Sequence, residues 1–131
     1  MEFFTQAWVE AFSQKWNADT EMIKPLADAG FSAVIAFGYP GQDIPRVMLE
    51  VVNGKVERAG IVNKVAQLPP LDWDLRALPE QWLTWRSKPL TLSSLGVAVQ
   101  NGQVIFKAGD YRKMIRTPGL ANPFLRFFNL L

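Results

Sequence analysis

The first part of the chain carries aromatic residues at helical spacing. In the stretch FFTQAWVEAFSQKW, four rings lie four positions apart: Phe4, Trp8, Phe12 and Trp16. Apolar residues at intervals of three and four predict an amphipathic helix whose inner face is aromatic. A short second helix is expected over TEMIKPLADAG, because Asp19 or Thr20 can cap its start and Gly30 can end it.

The pattern changes to that of a sheet after the second helix. β-branched and aromatic residues predominate up to residue 62, and Gly-Tyr-Pro-Gly and Asn-Gly interrupt them. Strands are therefore predicted near residues 31–38, 44–52 and 55–62. Asn53 and Gly54 stand between valine-containing flanks, which favours a tight hairpin between the second and third strands.

A fourth strand is predicted where apolar and charged residues alternate in LDWDLRAL. The charged positions of this segment share one side of the strand: Asp72, Asp74 and Arg76. We expect an antiparallel meander whose polar side faces water, with these three residues as a solvated row. The apolar side needs a cover, and the helices at the two ends of the chain are the elements available for it.

Helices predominate in the second half of the chain. PEQWLTWRSK is predicted to be helical, because Pro79 suits the first position of a helix and Pro89 lies just beyond its end. The tail NPFLRFFNLL has apolar residues at helical spacing: Phe124, Phe127, Phe128 and Leu131. This final helix has three interpretations, which are docking on the core, closing a cavity as a lid, and contacting a membrane or a partner.

The stretch QNGQVIFKAGD can be interpreted in two ways. Its Asn-Gly pair is typical of a hairpin, yet a Gly that follows an amphipathic run also ends helices. Upstream, LTLSSLGVAVQN has apolar residues at helical spacing behind Thr91. We therefore predict a helix over residues 92–100 that Gly102 ends, then a strand over QVIFKA, then a helix capped by Asp110.

Composition limits the classes of protein that fit. The 131 residues suffice for one domain, 1–131, and 49% of them are hydrophobic, with five Trp and nine Phe. This exceeds what a core of that size needs, so some side chains are available to line a cavity. The absence of Cys and His excludes disulfides, thiolate chemistry and histidine as ligand or base. We expect no enzymatic activity, no metal and no cofactor.

Charge is distributed unevenly along the chain. Residues 1–78 hold seven Lys and Arg against ten Asp and Glu, whereas residues 79–131 hold seven against two. The cations are scattered without a recognition-helix pattern, so an acidic lipid head group or carboxylate is the expected partner, and nucleic acid is not. The sequence shows neither a basic signal-peptide start nor an apolar run of about 18 residues, which predicts a cytoplasmic protein.

Asp72 and Asp74 are the nearest approach to a catalytic pair. Carboxylates at positions i and i+2 of a strand share a face, as a general acid and a general base would need to. Arg76 lies on the same face, which makes an acidic-basic surface row the simpler interpretation. A hydrolase or isomerase that uses these two carboxylates is kept as a third hypothesis, which loss of activity on Asp→Asn substitution would test.

The order of these elements resembles that of the sterol carrier protein 2 (SCP2) family. The resemblance extends over nearly the whole chain, and LDWDLRALPEQWLTWRSKPLTLSSLGVAVQNGQVIFKAGDYRKMI carries most of it. This segment looks like the family's run of a strand, a short helix, a second helix ending in Gly, a last strand and a final helix. The matching positions are Trp82 and Leu83 in the short helix, Gly102 before the last strand, and Gly109 and Asp110 after it.

The resemblance implies an α+β fold in which a five-stranded, mainly antiparallel sheet is covered by helices, with an apolar cavity between them. It implies a non-enzymatic lipid-binding or carrier protein whose tunnel holds a sterol, fatty acid, acyl-CoA or similar apolar ligand. The alternative is an accessory module of a lipid or quinone biosynthetic pathway that docks to enzymes or to the membrane surface. A peripheral membrane contact and a homodimer are also left open.

Ten apolar residues are predicted to line the cavity. They are Trp8, Phe12, Phe37, Trp82, Trp85, Val99, Ile105, Phe124, Phe127 and Phe128. Packing within an ordinary core is the competing interpretation for each of these residues, because most aromatic stripes at helical spacing are core.

Overall fold

Helices and strands combine in an α+β fold in this computed structural model, which describes residues 2–131 and, at Gln67, the backbone alone. The helices are α1 (Gln6–Ala18), α2 (Thr20–Asp28), α3 (Pro79–Ser87), α4 (Leu92–Gln100), α5 (Tyr111–Arg116) and α6 (Ala121–Asn129). The strands are β1 (Ala33–Gly38), β2 (Val47–Val52), β3 (Lys55–Ile61), β4 (Trp73–Arg76) and β5 (Ile105–Ala108). A single 3-10 turn, Val65–Gln67, precedes β4.

Helix α1 begins later than the aromatic stripe predicts. Thr5 is its N-cap and accepts a hydrogen bond from the backbone N–H of Trp8 at 3.1 Å. Phe4 therefore lies before the helix, with a φ of 61°. Its ring is still buried, because it packs edge-on against Phe37 and Trp82. The three later rings of the stripe are buried on α1 as predicted.

The five strands form one sheet in the order β3-β2-β1-β4-β5. Three neighbouring pairs are antiparallel, which confirms the predicted five-stranded, mainly antiparallel sheet. The predicted meander is wrong at its fourth strand, because β4 runs parallel to β1 in the middle of the sheet. Residues 62–72 make this return possible, since they carry the chain from the edge strand β3 to the far side of β1.

The Asn-Gly hairpin between β2 and β3 is confirmed. Asn53 and Gly54 have φ values of 48° and 88°, the two positive angles that this kind of tight turn requires. The turn is also fixed against the N-terminal helices. The indole N–H of Trp16 donates to the Gly54 carbonyl at 2.8 Å, and a Cβ at Gly54 would lie 2.7 Å from the backbone N of Ala27. The hairpin therefore requires glycine for both conformation and space.

Residues 92–100 form a helix, as predicted, and Gly102 ends it. Thr91 and the third helical residue cap each other's backbone in a capping box. Gly102 has a φ of 72°, and its N–H donates to the Val99 carbonyl while that of Gln103 donates to the Ala98 carbonyl. This pair of bonds is the Schellman motif, which satisfies carbonyls that the helix end leaves without partners.

The remaining predicted elements of the second half are also present. Pro79 is the first residue of α3, and Trp82 and Trp85 are buried on it. Asp110 caps α5 by accepting from two backbone N–H groups. The apolar tail forms α6, which packs against α2, α3 and α5.

Asp74 and Arg76 are buried on the side of β4 away from the helices, so the prediction of a solvated charged row is wrong for these two residues, whereas Asp72 is exposed. The Arg76 guanidinium binds both carboxylate oxygens of Asp74, at 2.7 and 3.0 Å. It also donates to the backbone carbonyls of Tyr39 and Gln42. The parallel register explains this burial, because it places Arg76 opposite Gly38, where the loop after β1 begins and covers this part of the sheet.

Candidate functional site

An apolar pocket lies between the helices and the front of the sheet. Eleven residues line it, and all are apolar: Trp16, Met22, Leu26, Phe31, Ile35, Trp73, Leu75, Met114, Pro123, Phe124 and Phe127. They come from α1, α2, α5 and α6 on one side and from β1 and β4 on the other, with Phe31 from the segment between α2 and β1. The lining offers no hydrogen-bonding or ionisable side chain other than the indoles, so the pocket suits a hydrocarbon and not a polar substrate.

The pocket holds little free space in this structure. Its volume is about 30 Å³, which is room for about two water molecules. Pockets that hold small organic ligands usually have volumes of about 300 to 1,000 Å³. A lipid chain therefore fits only if the covering helices move or if side chains in the lining rearrange. Met22 and Met114 are suited to such rearrangement, because the unbranched methionine side chain adapts to irregular spaces.

Helix α6 forms much of the cover and is held by an ion pair. The Arg126 Nε donates to Asp19 Oδ2 at 2.7 Å, and the same guanidinium lies 3.6 Å from a Glu21 carboxylate oxygen. Asp19 also caps α2 by accepting from the backbone N–H of Glu21 at 3.0 Å. The pair thus joins α6 to the junction of α1 and α2. We call the Asp19–Arg126 pair the latch.

A polar cleft between α2 and α6 adjoins the apolar pocket. Pro123 lines both, and the cleft, of about 510 Å³, also contains Glu21, Asn122, Arg126 and Asn129. An apolar lining next to an arginine is an arrangement suited to a ligand with a hydrocarbon chain and an anionic head group. The cleft also carries a carboxylate, so Arg126 is shared with acidic residues of the protein itself.

The structure divides the ten predicted cavity residues into three groups. Phe124 and Phe127 line the pocket. Six others are packed in the core with their rings in mutual contact or one ring apart: Trp8, Phe12, Phe37, Trp82, Trp85 and Phe128. Val99 is partly buried against that core, and Ile105 is 45% exposed on the edge strand β5. Neither of these two residues borders the pocket.

Nine of the eleven lining residues were not among the predicted set. Met22 and Leu26 lie four apart on the second predicted helix, which is the spacing of an inward face. Trp73 and Leu75 occupy the apolar side of LDWDLRAL, which the alternation assigns to the covered face of the sheet. These two patterns could have identified the wall of the pocket, but the aromatic stripe of α1 was a stronger signal.

Asp72 and Asp74, the candidate catalytic pair, each bind a different structural partner and do not face a common site. Asp74 is bound by Arg76, as described above. Asp72 Oδ2 accepts from the backbone N–H of Val34 at 2.8 Å, and so extends the contact between β4 and β1. Two carboxylates with separate backbone and guanidinium partners are not arranged as an acid and a base facing one substrate.

Among the described residues 2–131, no group of acidic side chains is placed to hold a metal ion, and no helix is both long and apolar enough to cross a bilayer. Burial raises the pKa of the Tyr39 phenol, which nearby Arg46 partly opposes and Glu2 reinforces. Tyr39 packs against Phe4 and lies outside the apolar pocket.

Comparison with solved structures identifies the fold. A crystal structure of sterol carrier protein 2 matches with a TM-score of 0.73 at 20% identity, over 98% of this chain and 96% of that one. The solution structure of a conserved hypothetical protein from Thermus thermophilus matches with a TM-score of 0.65 at 22% identity, over 98% and 88%. The ubiquinone synthesis protein UbiJ-SCP2 matches with a TM-score of 0.58 at 10% identity, over 95% and 91%.

These matches show that the chain has the fold of sterol carrier protein 2, as the order of elements in the sequence indicates. No protein-family model matches the sequence, and no curated protein matches it significantly. The similarity is therefore one of fold, over nearly the full length of the chain.

Proposed function

We propose that the protein binds a lipid in the apolar pocket and carries it without changing it chemically, in the cytoplasm. The observation that carries this proposal is an entirely apolar lining between helices and sheet in the fold of sterol carrier protein 2. Each methylene transferred from water into such a pocket contributes about 0.8 kcal/mol. A hydrocarbon chain is therefore a better ligand than a sugar, a nucleotide or a peptide.

Arg126 favours a fatty acyl ligand within this class. Its guanidinium lies in the polar cleft that adjoins the pocket at Pro123. A carboxylate at the end of a chain held in the pocket would pair with this guanidinium in competition with Asp19, and an uncharged sterol would not. A fatty acid or acyl-CoA thus contacts both the apolar pocket and the polar cleft, whereas a sterol contacts the apolar pocket alone.

The predicted cavity residues fit this proposal in two ways. Phe124 and Phe127 form part of the wall in the closed structure. The packed aromatic residues behind the pocket wall would contact a ligand only after α6 moves outward, because Phe127 lines the pocket and packs against Phe12 and Phe37 behind it. A longer ligand would therefore reach more of the predicted set than a short one.

Lipid content is the first test. Native mass spectrometry of gently purified protein should show an excess mass that delipidation removes, and a fluorescent fatty acid should then bind and be displaced by unlabelled fatty acid. The variant Phe124→Ala should bind more tightly, because it opens space in the wall. Phe128→Ala removes a buried ring from the same helix but not from the pocket, and so serves as the matched control.

Absence of bound lipid together with no displacement, in both the parent protein and Phe124→Ala, would contradict lipid carriage. The second candidate function is then an accessory module for quinone or lipid synthesis, which the likeness to the ubiquinone synthesis protein favours. An accessory module should co-purify in stable stoichiometry with an enzyme, whereas a free carrier should not.

A further inference from the structure

The apolar pocket reaches the protein surface at one end. Phe31 and Trp73 are half-buried, whereas the other nine lining residues are buried. Phe31 lies just before β1, and Trp73 is the first residue of β4. Because β1 and β4 run parallel, with Ile35 opposite Trp73, both half-buried residues lie where the strand pair begins. Farther along β4, Leu75 is 2% exposed. We call the opening between Phe31 and Trp73 the mouth.

The backbone on both sides of the mouth is held by hydrogen bonds. The Phe31 N–H donates to the Leu26 carbonyl, and the Phe31 carbonyl accepts from the Gly54 N–H, both at 2.9 Å. On the β4 side, the Asp72 N–H donates to the Val34 carbonyl at 2.9 Å, and the Asp72 carboxylate accepts from the Val34 N–H at 2.8 Å. The backbone cannot separate here without losing these bonds, so a change in the width of the mouth has to come from side chains.

The indole of Trp73 is the side chain suited to such a change. The buried Trp82 donates its indole N–H to a backbone carbonyl, whereas that of Trp73 makes no hydrogen bond to any described residue. The ring of Trp73 lies against Gly109, where a Cβ would overlap it, and contacts the rings of Phe106 and Phe124. Apolar contacts alone therefore hold this indole, and it can rotate without breaking a hydrogen bond.

We propose that a lipid enters and leaves the pocket through the mouth, that rotation of the Trp73 indole opens it, and that it selects a linear hydrocarbon chain over a sterol. This rests on the proposed binding of lipid in the apolar pocket and adds the route and the shape that the route admits. With the backbone held on both sides, the opening is limited to the space that one indole leaves. A single extended chain can pass through that space, whereas the rigid fused rings and angular methyl groups of a sterol are wider.

A gate differs from a wall residue in its effect on rates. Removal of a gate raises the rates of entry and exit together, because both pass through the same open state. A residue that only lines the pocket changes affinity, mainly through the rate of exit. Trp73 also lines the pocket, so its two roles have to be separated. Leu75 permits this, since it lines the pocket from the same strand but is buried away from the mouth.

Stopped-flow measurements on the full chain test the proposal with two lipids that are fluorescent themselves. trans-Parinaric acid is the linear probe, and dehydroergosterol is the sterol probe. The parent protein should take up the acid about tenfold faster than the sterol. Trp73→Ala and Phe31→Ala widen the mouth from its two sides. Each should raise the rates of association and release of the acid by about fivefold and reduce the difference between acid and sterol.

Leu75→Ala is the matched control for these variants. It enlarges the pocket away from the mouth, so it should change the rate of release and leave the association rate of the acid within about twofold of the parent. Thermal unfolding shows whether each variant folds. Phe31→Ala and the conservative Trp73→Leu carry the test if Trp73→Ala does not fold.

Acrylamide quenching of tryptophan fluorescence measures the exposure of the gate directly. The other four tryptophans are at most 3% exposed, so the quenchable emission should come mainly from Trp73. That emission should be lost in Trp73→Leu. Equal quenching of the parent and of Trp73→Leu would show that Trp73 does not lie at a mouth.

The rates can overturn the proposal in three ways. Association of the acid is then unchanged in both Trp73→Ala and Phe31→Ala, or Leu75→Ala accelerates it equally, or the parent takes up the sterol as fast as the acid. Acceleration by Arg126→Gln alone would place the entrance beneath α6 instead. If neither lipid binds to the parent or to any variant, lipid carriage itself fails, whereas the other outcomes overturn the gate and leave lipid carriage intact.

Discussion

Substitution of the latch tests how α6 controls the pocket. Arg126 joins α6 to Asp19, and Asp19 also caps α2 through its other carboxylate oxygen. Asp19→Asn removes the charge but keeps an acceptor, and Asn is as good an N-cap as Asp. Arg126→Gln removes the other charge. The two variants therefore break the same ion pair from opposite sides with little other change.

The energy of the latch follows from its geometry and exposure. The contact is short, at 2.7 Å, and Asp19 is 10% exposed, but Arg126 is 36% exposed and therefore screened by water. Ion pairs of this kind contribute about 1 kcal/mol at most. Either variant should lower the midpoint of thermal unfolding by about 4 °C. A loss of about 1 kcal/mol also makes opening of α6 about fivefold more frequent.

The affinities for a fatty acid and a fatty alcohol should distinguish the role of Asp19 from that of Arg126. An uncharged fatty alcohol should bind somewhat more tightly to both variants, because each loosens the cover. A fatty acid of the same length should bind more tightly to Asp19→Asn, which frees the guanidinium, and less tightly to Arg126→Gln, which removes it. Isothermal titration with the acid and the alcohol measures the difference, which should reach about fivefold in each direction.

Arg58→Gln is the control for the latch variants. It breaks a surface pair with Glu50 on the β2–β3 hairpin, where Arg58 is 82% exposed, and should change neither stability nor binding measurably. The reasoning is refuted if Asp19→Asn and Arg126→Gln change the affinities for acid and alcohol by the same factor. In that case Arg126 holds the helix but does not contact the head group.

The remaining predictions concern stability and are measured by chemical denaturation. Gly109→Ala should destabilise the fold by about 2 kcal/mol or more, because φ is +99° and the new Cβ would overlap the Trp73 ring; an unchanged midpoint would contradict the contact. Arg76→Met should cost about 3 to 5 kcal/mol by leaving Asp74 buried without its partner, and adding Asp74→Leu should recover part of that loss. Asn17→Ala should cost about 1 to 3 kcal/mol, since its amide makes two hydrogen bonds to the backbone of β3; a neutral effect would show that water replaces them.

The elements that a local signal defines could be predicted from the sequence. Thr91 and Gly102 mark both ends of α4, and Asn53 with Gly54 specifies a turn that needs two positive φ angles. These signals depend on the conformation of a few neighbouring residues, so they hold whatever the rest of the chain does. Their order along the chain was enough to indicate the fold.

The position of β4 could not be predicted in the same way. Its pairing depends on Arg76 lying opposite Gly38, far away in the sequence, and on a return through residues 62–72 that has little regular structure. Alternation in LDWDLRAL shows which residues share a face, but it does not show what covers that face. The burial of Asp74 and Arg76 follows only from the loop that the parallel register brings over them.

The composition suggests that surplus aromatic residues line a cavity, but in the structure most of them fill the core. Most of those rings pack against one another, and the pocket beside them is left with about 30 Å³. A chain of ten methylenes gains about 8 kcal/mol on entering an apolar site, but here it must first move the covering helices or rearrange the side chains of the lining. The contacts that hold the covering helices on the core therefore reduce the affinity for the ligand. The weakest of these contacts determine how much free energy is needed to open the pocket. The latch is one such contact, because it is an ion pair whose Arg126 side chain is 36% exposed to water.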